Sequence, residues 1–175
     1  MLLKRLCKIS FLIAILVLFN SDSTIYNKEC EKIDNILENK EVYQKENKYF
    51  GYINIPKYGY TKLIKNEESL DTKNISLVNN KGNIESSSYN IVLAGHNTKN
   101  VFSVLYRLDI NDEIIINTFN FKYKFKVYNI EMVNIKDTYV LDNEYDKKIL
   151  TLITCTQDNQ KRLIIKAKNI SHNFT

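Results

Sequence analysis

Lys147 to Lys168 reads KKILTLITCTQDNQKRLIIKAK, two strand-like runs joined by a short polar loop. Ile149 to Cys155 is rich in β-branched residues and partly alternates, the signature of a strand in or near a sheet interior. Arg162 to Lys166 resumes the pattern after the loop Thr156–Lys161. A cysteine therefore ends one strand and an arginine opens its neighbour. A thiol in that position is fixed by the ladder below it and open above it, and a guanidinium on the adjacent strand comes within a few ångströms. This is a geometry for stabilising negative charge on sulfur or on a substrate oxygen.

A cysteine nucleophile also needs a group that moves protons. Asn90-Ile91-Val92-Leu93-Ala94-Gly95-His96-Asn97 is an apolar strand running into Gly-His, and the chain has only two histidines. The other, His172, lies in a polar C-terminal tail, so His96 is the candidate. Taken singly, His96 reads more readily as a loop histidine and Arg162 as a surface cation. Their joint occurrence with Cys155 is what points to catalysis. One Cys and one His are too few ligands for a closed zinc site, so no metal is assigned.

At these residues the chain resembles the sortases, cysteine transpeptidases of Gram-positive cell surfaces. LAGHN at 93–97, TLITCT at 151–156 and the arginine at 162 occur in the family's order. YFGYINIPK at 49–57 is similar to the family's first barrel strand, and Asp137-Thr138-Tyr139-Val140-Leu141 to its D-T-x-V-L stretch. The resemblance implies a nucleophilic Cys155, proton transfer by His96 and oxyanion stabilisation by Arg162. By position it assigns Ala94, Ile153 and Thr154 to the groove that holds the sorting motif. Strand packing is the competing reading for Ile153. Asn97 either orients the imidazole or begins the loop, and is counted with the substrate-binding candidates.

The implied reaction is cleavage of an LPxTG-like C-terminal sorting signal after threonine, through a thioester acyl-enzyme. The acyl group then passes to a cell-wall peptide amine. The implied partners are surface proteins bearing such a signal and a peptidoglycan precursor or other wall amine. No cofactor is implied. Asp137, Asp142, Glu144 and Asp146 are too scattered to support a calcium requirement. The short Cys155–Arg162 loop, and the lack of a helical insertion between the Phe121 and Ile149 strands, leave the subtype unsettled among class D/E-like and short class A/B-like anchoring enzymes. A pilin-polymerising sortase and an exported non-catalytic β-barrel binding module are the alternatives.

The remainder of the chain fits one all-β catalytic domain. At 175 residues there is room for a single core. Strand-like segments come in quick succession from Tyr49, namely 49–55, 61–64, 75–78, 91–94, 113–116 and 121–127, the last extending toward Val133, before the Ile149 and Arg162 strands. Seven to eight strands with few helices predict a closed or nearly closed barrel over 49–170, followed by a tail over 171–175. Phe121 to Val127 shows the clearest two-residue period, with Lys122, Lys124 and Lys126 on its polar face. A short helical turn is expected from Val101 to Leu105. With one proline and four glycines, turns fall to asparagine, which tolerates left-handed backbone; Asn111 is an example.

Residues 1–20 place Lys4, Arg5 and Lys8 before an apolar run to Phe19, the pattern of a signal or membrane anchor. The residues leave a cleaved signal and an uncleaved anchor open; the resemblance favours the anchor, which implies a location at the cell membrane with the catalytic domain outside. Residues 21–48 are a polar linker or an amphipathic helix with Ile33, Ile36 and Leu37 at helical spacing, and the boundary is set near Glu46. The net charge of +5 is compatible with an anionic wall or membrane surface but reads first as a solvated lysine-rich surface, and no aromatic-basic pattern supports nucleic acid. Cys30 and Cys155 are the thiols outside the targeting segment, so a disulfide between them is the structural alternative to a reactive Cys155.

Overall fold

The structure is a computed structural model that describes residues 27–36, 38–39, 48–66, 72–81, 88–142, 144 and 146–174. The expected anchor, the boundary near Glu46 and Cys7 lie outside the described residues. Among the described residues, no helix is long and apolar enough to cross a membrane.

Eight strands close into a barrel: β1 (Tyr49–Ile55), β2 (Tyr60–Lys65), β3 (Ile75–Lys81), β4 (Tyr89–Ala94), β5 (Glu113–Thr118), β6 (Phe121–Asn134), β7 (Lys148–Cys155) and β8 (Lys161–Phe174). Their order around the barrel is β1-β2-β3-β4-β7-β8-β6-β5, closed by β5 on β1. Two neighbouring pairs, β2–β3 and β4–β7, are parallel, and the other pairs are antiparallel. Because β4 and β7 are parallel neighbours, both strands end at the same rim of the barrel.

The two-residue period of β6 becomes the barrel wall. Tyr123, Phe125 and Val127 are buried while Lys122 faces solvent and Lys124 and Lys126 are half-buried. With Ile53, Ile116, Leu150, Leu152 and Ile165 they form the main core. Each such side chain contributes roughly 1.5–3 kcal/mol on burial. All six residues of β4 are buried. Its outer face is covered because the 135–147 connection folds back over it: Asn90 donates through Nδ2 to the carbonyls of Val140 (3.3 Å) and Asp142 (3.1 Å). Its Oδ1 accepts from the Thr151 hydroxyl at 2.8 Å. A second apolar cluster of Val133, Val140 and Ile164, with Leu141 and Ile153 against it, lies on that outer face.

Several boundaries differ from the sequence reading. β3 runs to Lys81 because Asn79, Asn80 and Lys81 pair with Val92, Ile91 and Asn90 beyond a bulge. β8 does not stop near 170: Ser171 to Phe174 pair with Lys124 to Phe121, so the expected tail and His172 belong to the sheet through residue 174. Between the two readings of residues 21–48, the described part is an amphipathic helix over 27–36. Ile33 and Ile36 are buried against Tyr49 and Leu63, and Glu29 pairs with Lys62 of β2 at 3.3 Å. The expected turn at 101–105 is a 3-10 helix, Ser103–Arg107. Asparagine takes the left-handed turn positions Asn111 (φ 77°) and Asn159 (φ 58°), as its short polar side chain permits.

Candidate active site

β7 and β8 are antiparallel neighbours, and their register sets Cys155 directly opposite Arg162. The pairing brings Arg162 Nη1 to 2.8 Å from Cys155 Sγ, as a donor to sulfur. Positive charge thus sits against the sulfur and beside any oxyanion formed on a carbonyl attached to it. Cys155 and Cys30 are both free thiols, so the disulfide reading does not hold.

His96 reaches the same rim through β4. Ala94 pairs with Ile153 in the parallel ladder, and the next residue, Gly95, donates its N–H to the Ile153 carbonyl at 3.1 Å. The carbonyl of Gly95 accepts the Thr154 hydroxyl at 2.8 Å. After His96 the chain turns back on itself, with the N–H groups of Thr98 (2.8 Å) and Phe102 (3.0 Å) both donating to the His96 carbonyl. A side chain at Gly95 has no room in this turn, since a Cβ there would lie 2.7 Å from Val101 Cγ1 and 2.9 Å from Phe102 Cδ2.

Three cavities run side by side across this rim. A groove of about 190 Å³, lined by Val133, Ile135, Val140, Leu141 and Ile164 among others, shares Ala94, Ile153 and Arg162 with the middle cleft. The middle cleft, about 230 Å³, adds Gly95, His96 and Cys155. Beyond it a polar recess of about 260 Å³ shares His96 and Cys155 and is completed by Asn97, Thr98, Thr156, Gln157 and Asn159. An extended peptide in the groove would therefore lead to the thiol, and the far side of the thiol opens onto a polar space.

The expected residues divide accordingly. His96, Cys155 and Arg162 share the middle cleft, with Ala94 and Ile153 in its wall, while Asn97 faces the polar recess. Thr154 is not in the groove. It is 1% exposed and its hydroxyl is spent on the Gly95 carbonyl, so it ties β7 to the residue before His96 from beneath. The strand's alternation explains this: Ile153 and Cys155 face the rim and Thr154 faces the other way.

Tyr106, which the sequence suggests only as barrel surface or core, donates its hydroxyl to the Cys155 carbonyl at 3.2 Å. Burial, then the neighbouring Asp158 and Cys155 charges, push this phenol above its usual range. It stays a hydrogen-bond donor, although 41% exposed. Only a tyrosine in an apolar turn was visible in the sequence, with nothing to link it to residue 155. The groove side chains of the 135–141 stretch were likewise seen only as a family likeness, without a role. Two carboxylates of this connection have structural partners: Asp137 accepts the Asn134 N–H, and Glu144 takes Lys147, Lys166 and Tyr128.

Residues 53–170 match the model of the Sortase domain family, and the chain belongs to that family. It is accordingly a cysteine transpeptidase, of the class that acts on sorting signals and amine acceptors. Among solved structures it is similar to a Clostridium perfringens sortase D5 transpeptidase, at 29% identity and TM-score 0.67, covering 85% of this chain and 99% of that one. It is also similar to sortase C1 of Streptococcus agalactiae, at 26% identity and TM-score 0.64, covering 70% and 68%. Sortase E1 of Streptomyces coelicolor, solved with a tripeptide in its active site, shares the fold at 22% identity and TM-score 0.64, covering 73% and 91%. No curated protein matches the chain.

Proposed function

We propose that Cys155 attacks the threonyl carbonyl of an LPxTG-like sorting signal and that the resulting thioester is resolved by a cell-wall peptide amine. The observation that carries this reading is the 2.8 Å approach of Arg162 Nη1 to Cys155 Sγ. In the first step the sulfur, having passed its proton to His96, forms a bond to the carbonyl carbon, and the oxygen takes the negative charge beside the guanidinium. Collapse of that intermediate breaks the threonyl–glycyl bond, and His96 gives a proton to the leaving amine. In the second step the incoming amine adds to the thioester, His96 takes its proton, and sulfur leaves. The aliphatic groove of Val133, Ile135, Val140 and Leu141 suits the leucine and proline of the signal. The polar recess beyond His96 suits the amine.

The apolar run before Asn20, with Lys4, Arg5 and Lys8 ahead of it, is proposed to hold the barrel on the outer face of the cell membrane. Substrates that are themselves delivered at that surface would then meet the site by diffusion in two dimensions.

The test is a panel of fluorogenic peptides assayed for cleavage and for transfer to an added amine. Peptides with threonine at the cut should be cleaved and joined to the amine, and Cys155→Ala should do neither. Arg162→Ala should lower kcat by about 100 to 1000-fold, the usual cost of losing an oxyanion donor. Equal turnover of unrelated peptides, or an Arg162→Ala chain as fast as the parent, would refute the assignment.

A further inference from the structure

At the active rim β7 outlasts its parallel neighbour. β4 ends at Ala94, which pairs with Ile153, and the Gly95 N–H just past the strand still reaches the Ile153 carbonyl at 3.1 Å. The Thr156 N–H donates to the Lys161 carbonyl at 2.9 Å, so Thr156 turns its backbone polar groups toward β8. Successive residues of a strand turn theirs to opposite sides. Cys155 therefore aims its carbonyl at the side where β4 has ended, one rung beyond the last that β4 supplies. A backbone acceptor left over at a strand end is met by water or by a side chain. Here a side chain meets it, the Tyr106 hydroxyl at 3.2 Å.

The element that carries Tyr106 is firmly seated. Tyr106 lies on the 3-10 helix Ser103–Arg107, whose Val104 and Leu105 are buried in the main core together with Phe102 just before it. Close packing of that kind leaves the helix little room to slide. The Val101 carbonyl, ahead of the helix, accepts the Tyr60 hydroxyl at 2.6 Å. The same segment starts at His96, whose carbonyl takes the Thr98 and Phe102 N–H groups. One stretch, 96–106, thus grips His96 by its backbone and Cys155 by a phenol. Across the hairpin Cys155 meets Arg162, Nη1 to Sγ at 2.8 Å.

We propose that Tyr106 is a positioning residue for the reaction: by holding the Cys155 carbonyl beyond the end of β4 it fixes the last peptide of β7, and through it the direction of the thiol toward Arg162 and the scissile carbonyl. Without the hydroxyl, the end of β7 is tied on its β8 side and freed on the other, and the sulfur can turn off the guanidinium. The effect on rate rests on the transpeptidase reading of Cys155; the effect on the sulfur's surroundings does not. Among the described residues, the lining of the apolar groove comes from β3, β4, β6, β7, β8 and the 135–141 stretch, not from the helix of Tyr106. Peptide binding is therefore spared and the loss falls on kcat.

The test is Tyr106→Phe, which removes the hydroxyl and keeps the ring, in the full chain in non-ionic detergent. Tyr106 is 41% exposed, so the variant should melt within about 4 °C of the parent. Cleavage of a threonine-containing sorting peptide should fall by about 10 to 100-fold in kcat, the scale of a displaced reacting group, with KM within about twofold of the parent. In an Arg162→Ala background the same substitution should cost only about twofold, because the hydroxyl acts by keeping sulfur and guanidinium together; a residue that merely props up the fold would cost the same factor in both. A second readout needs no sorting peptide. Alkylation of Cys155 by iodoacetamide, followed by mass spectrometry of the peptide that contains it, should be slower in Arg162→Ala than in the parent, since a neighbouring cation favours the thiolate. That ratio should shrink toward one when Tyr106→Phe is present in both chains, and, measured well below either melting point, it decides the matter even if the variant melts lower. Parental kcat in Tyr106→Phe, a loss carried by KM alone, full additivity with Arg162→Ala, or an unchanged alkylation ratio overturns the proposal. A parent that cleaves no sorting peptide, with an alkylation ratio that still collapses in Tyr106→Phe, would refute the reaction and leave the positioning role standing.

Discussion

Replacing Gly95 with alanine adds one methyl group at the tightest point behind His96. That methyl would stand 2.7 Å from Val101 Cγ1 and 2.9 Å from Phe102 Cδ2, both belonging to core side chains with at most 1% exposure. Neither neighbour is a flexible tip able to swing aside, so the turn itself has to shift. Overpacking of this kind costs about 1–3 kcal/mol, and at roughly 2–4 °C per kcal/mol for a chain of this size the melting temperature should fall by about 2–12 °C. The shift falls on the turn whose Thr98 and Phe102 amides hold the His96 carbonyl. Displacement of a catalytic group by about 1 Å costs up to about 100-fold, so kcat/KM for sorting-peptide cleavage should drop by about 10 to 100-fold. Gly59→Ala is the internal control. Its φ of 56° is left-handed and nothing lies within 4 Å of the added carbon, so it should cost about 1 kcal/mol of stability and leave the rate alone. Thermal melts and peptide cleavage on all three proteins decide the matter. A Gly95→Ala protein with parental melting and parental rate would show that the turn does not fix His96.

Thr154→Val keeps the side-chain shape but leaves the Gly95 carbonyl without its buried donor, and should destabilise the fold by about 1–3 kcal/mol in denaturant titrations. Thr154→Ser, which retains the hydroxyl, should recover most of that loss. Glu144 gives a pH signature. Burial pushes its carboxyl up, but hydrogen bonds from Lys147, Lys166 and Tyr128 and the Lys166 charge outweigh this and hold it at about 2. A carboxyl depressed in the folded state contributes stability that is fully present above its unfolded value and lost as pH falls toward the folded one. The parent should therefore lose, between about pH 5 and 2, an increment on the order of 1 kcal/mol after solvent screening. Melts of Glu144→Gln over that range should lack the increment; identical acid profiles for the two would contradict the ion-pair assignment.

The strands could be read from the sequence because a barrel wall has one dry face. Lys122, Lys124 and Lys126 alternate with Tyr123, Phe125 and Val127, and the period survives into the structure unaltered. The rim pairing of Cys155 with Arg162 was legible too, since a short hairpin leaves little choice of register. Two kinds of feature were not legible. Side-chain direction at Thr154 depends on counting the alternation from Cys155 backward, and the likeness to a motif obscured that count. Contacts across long separations, such as Tyr106 to residue 155, or the 135–141 stretch to the outer face of β4, depend on how a connection folds back. No local pattern records that. Strand ends at Asn79–Lys81 and Ser171–Phe174 were missed for the related reason that polar residues join a ladder when a partner strand is present.

Because β4 and β7 run in the same direction and are bonded rung by rung from Tyr89–Lys148 to Ala94–Ile153, the spacing between imidazole and thiol is a property of one ladder. The 135–141 stretch forms no rung of that ladder, yet it supplies much of the apolar groove wall. Exchanging it for another sequence should alter which peptides are accepted while the bond-making centre keeps its dimensions. Recognition and chemistry are in this sense separately adjustable parts, and selectivity can drift without a matching adjustment at the reacting atoms.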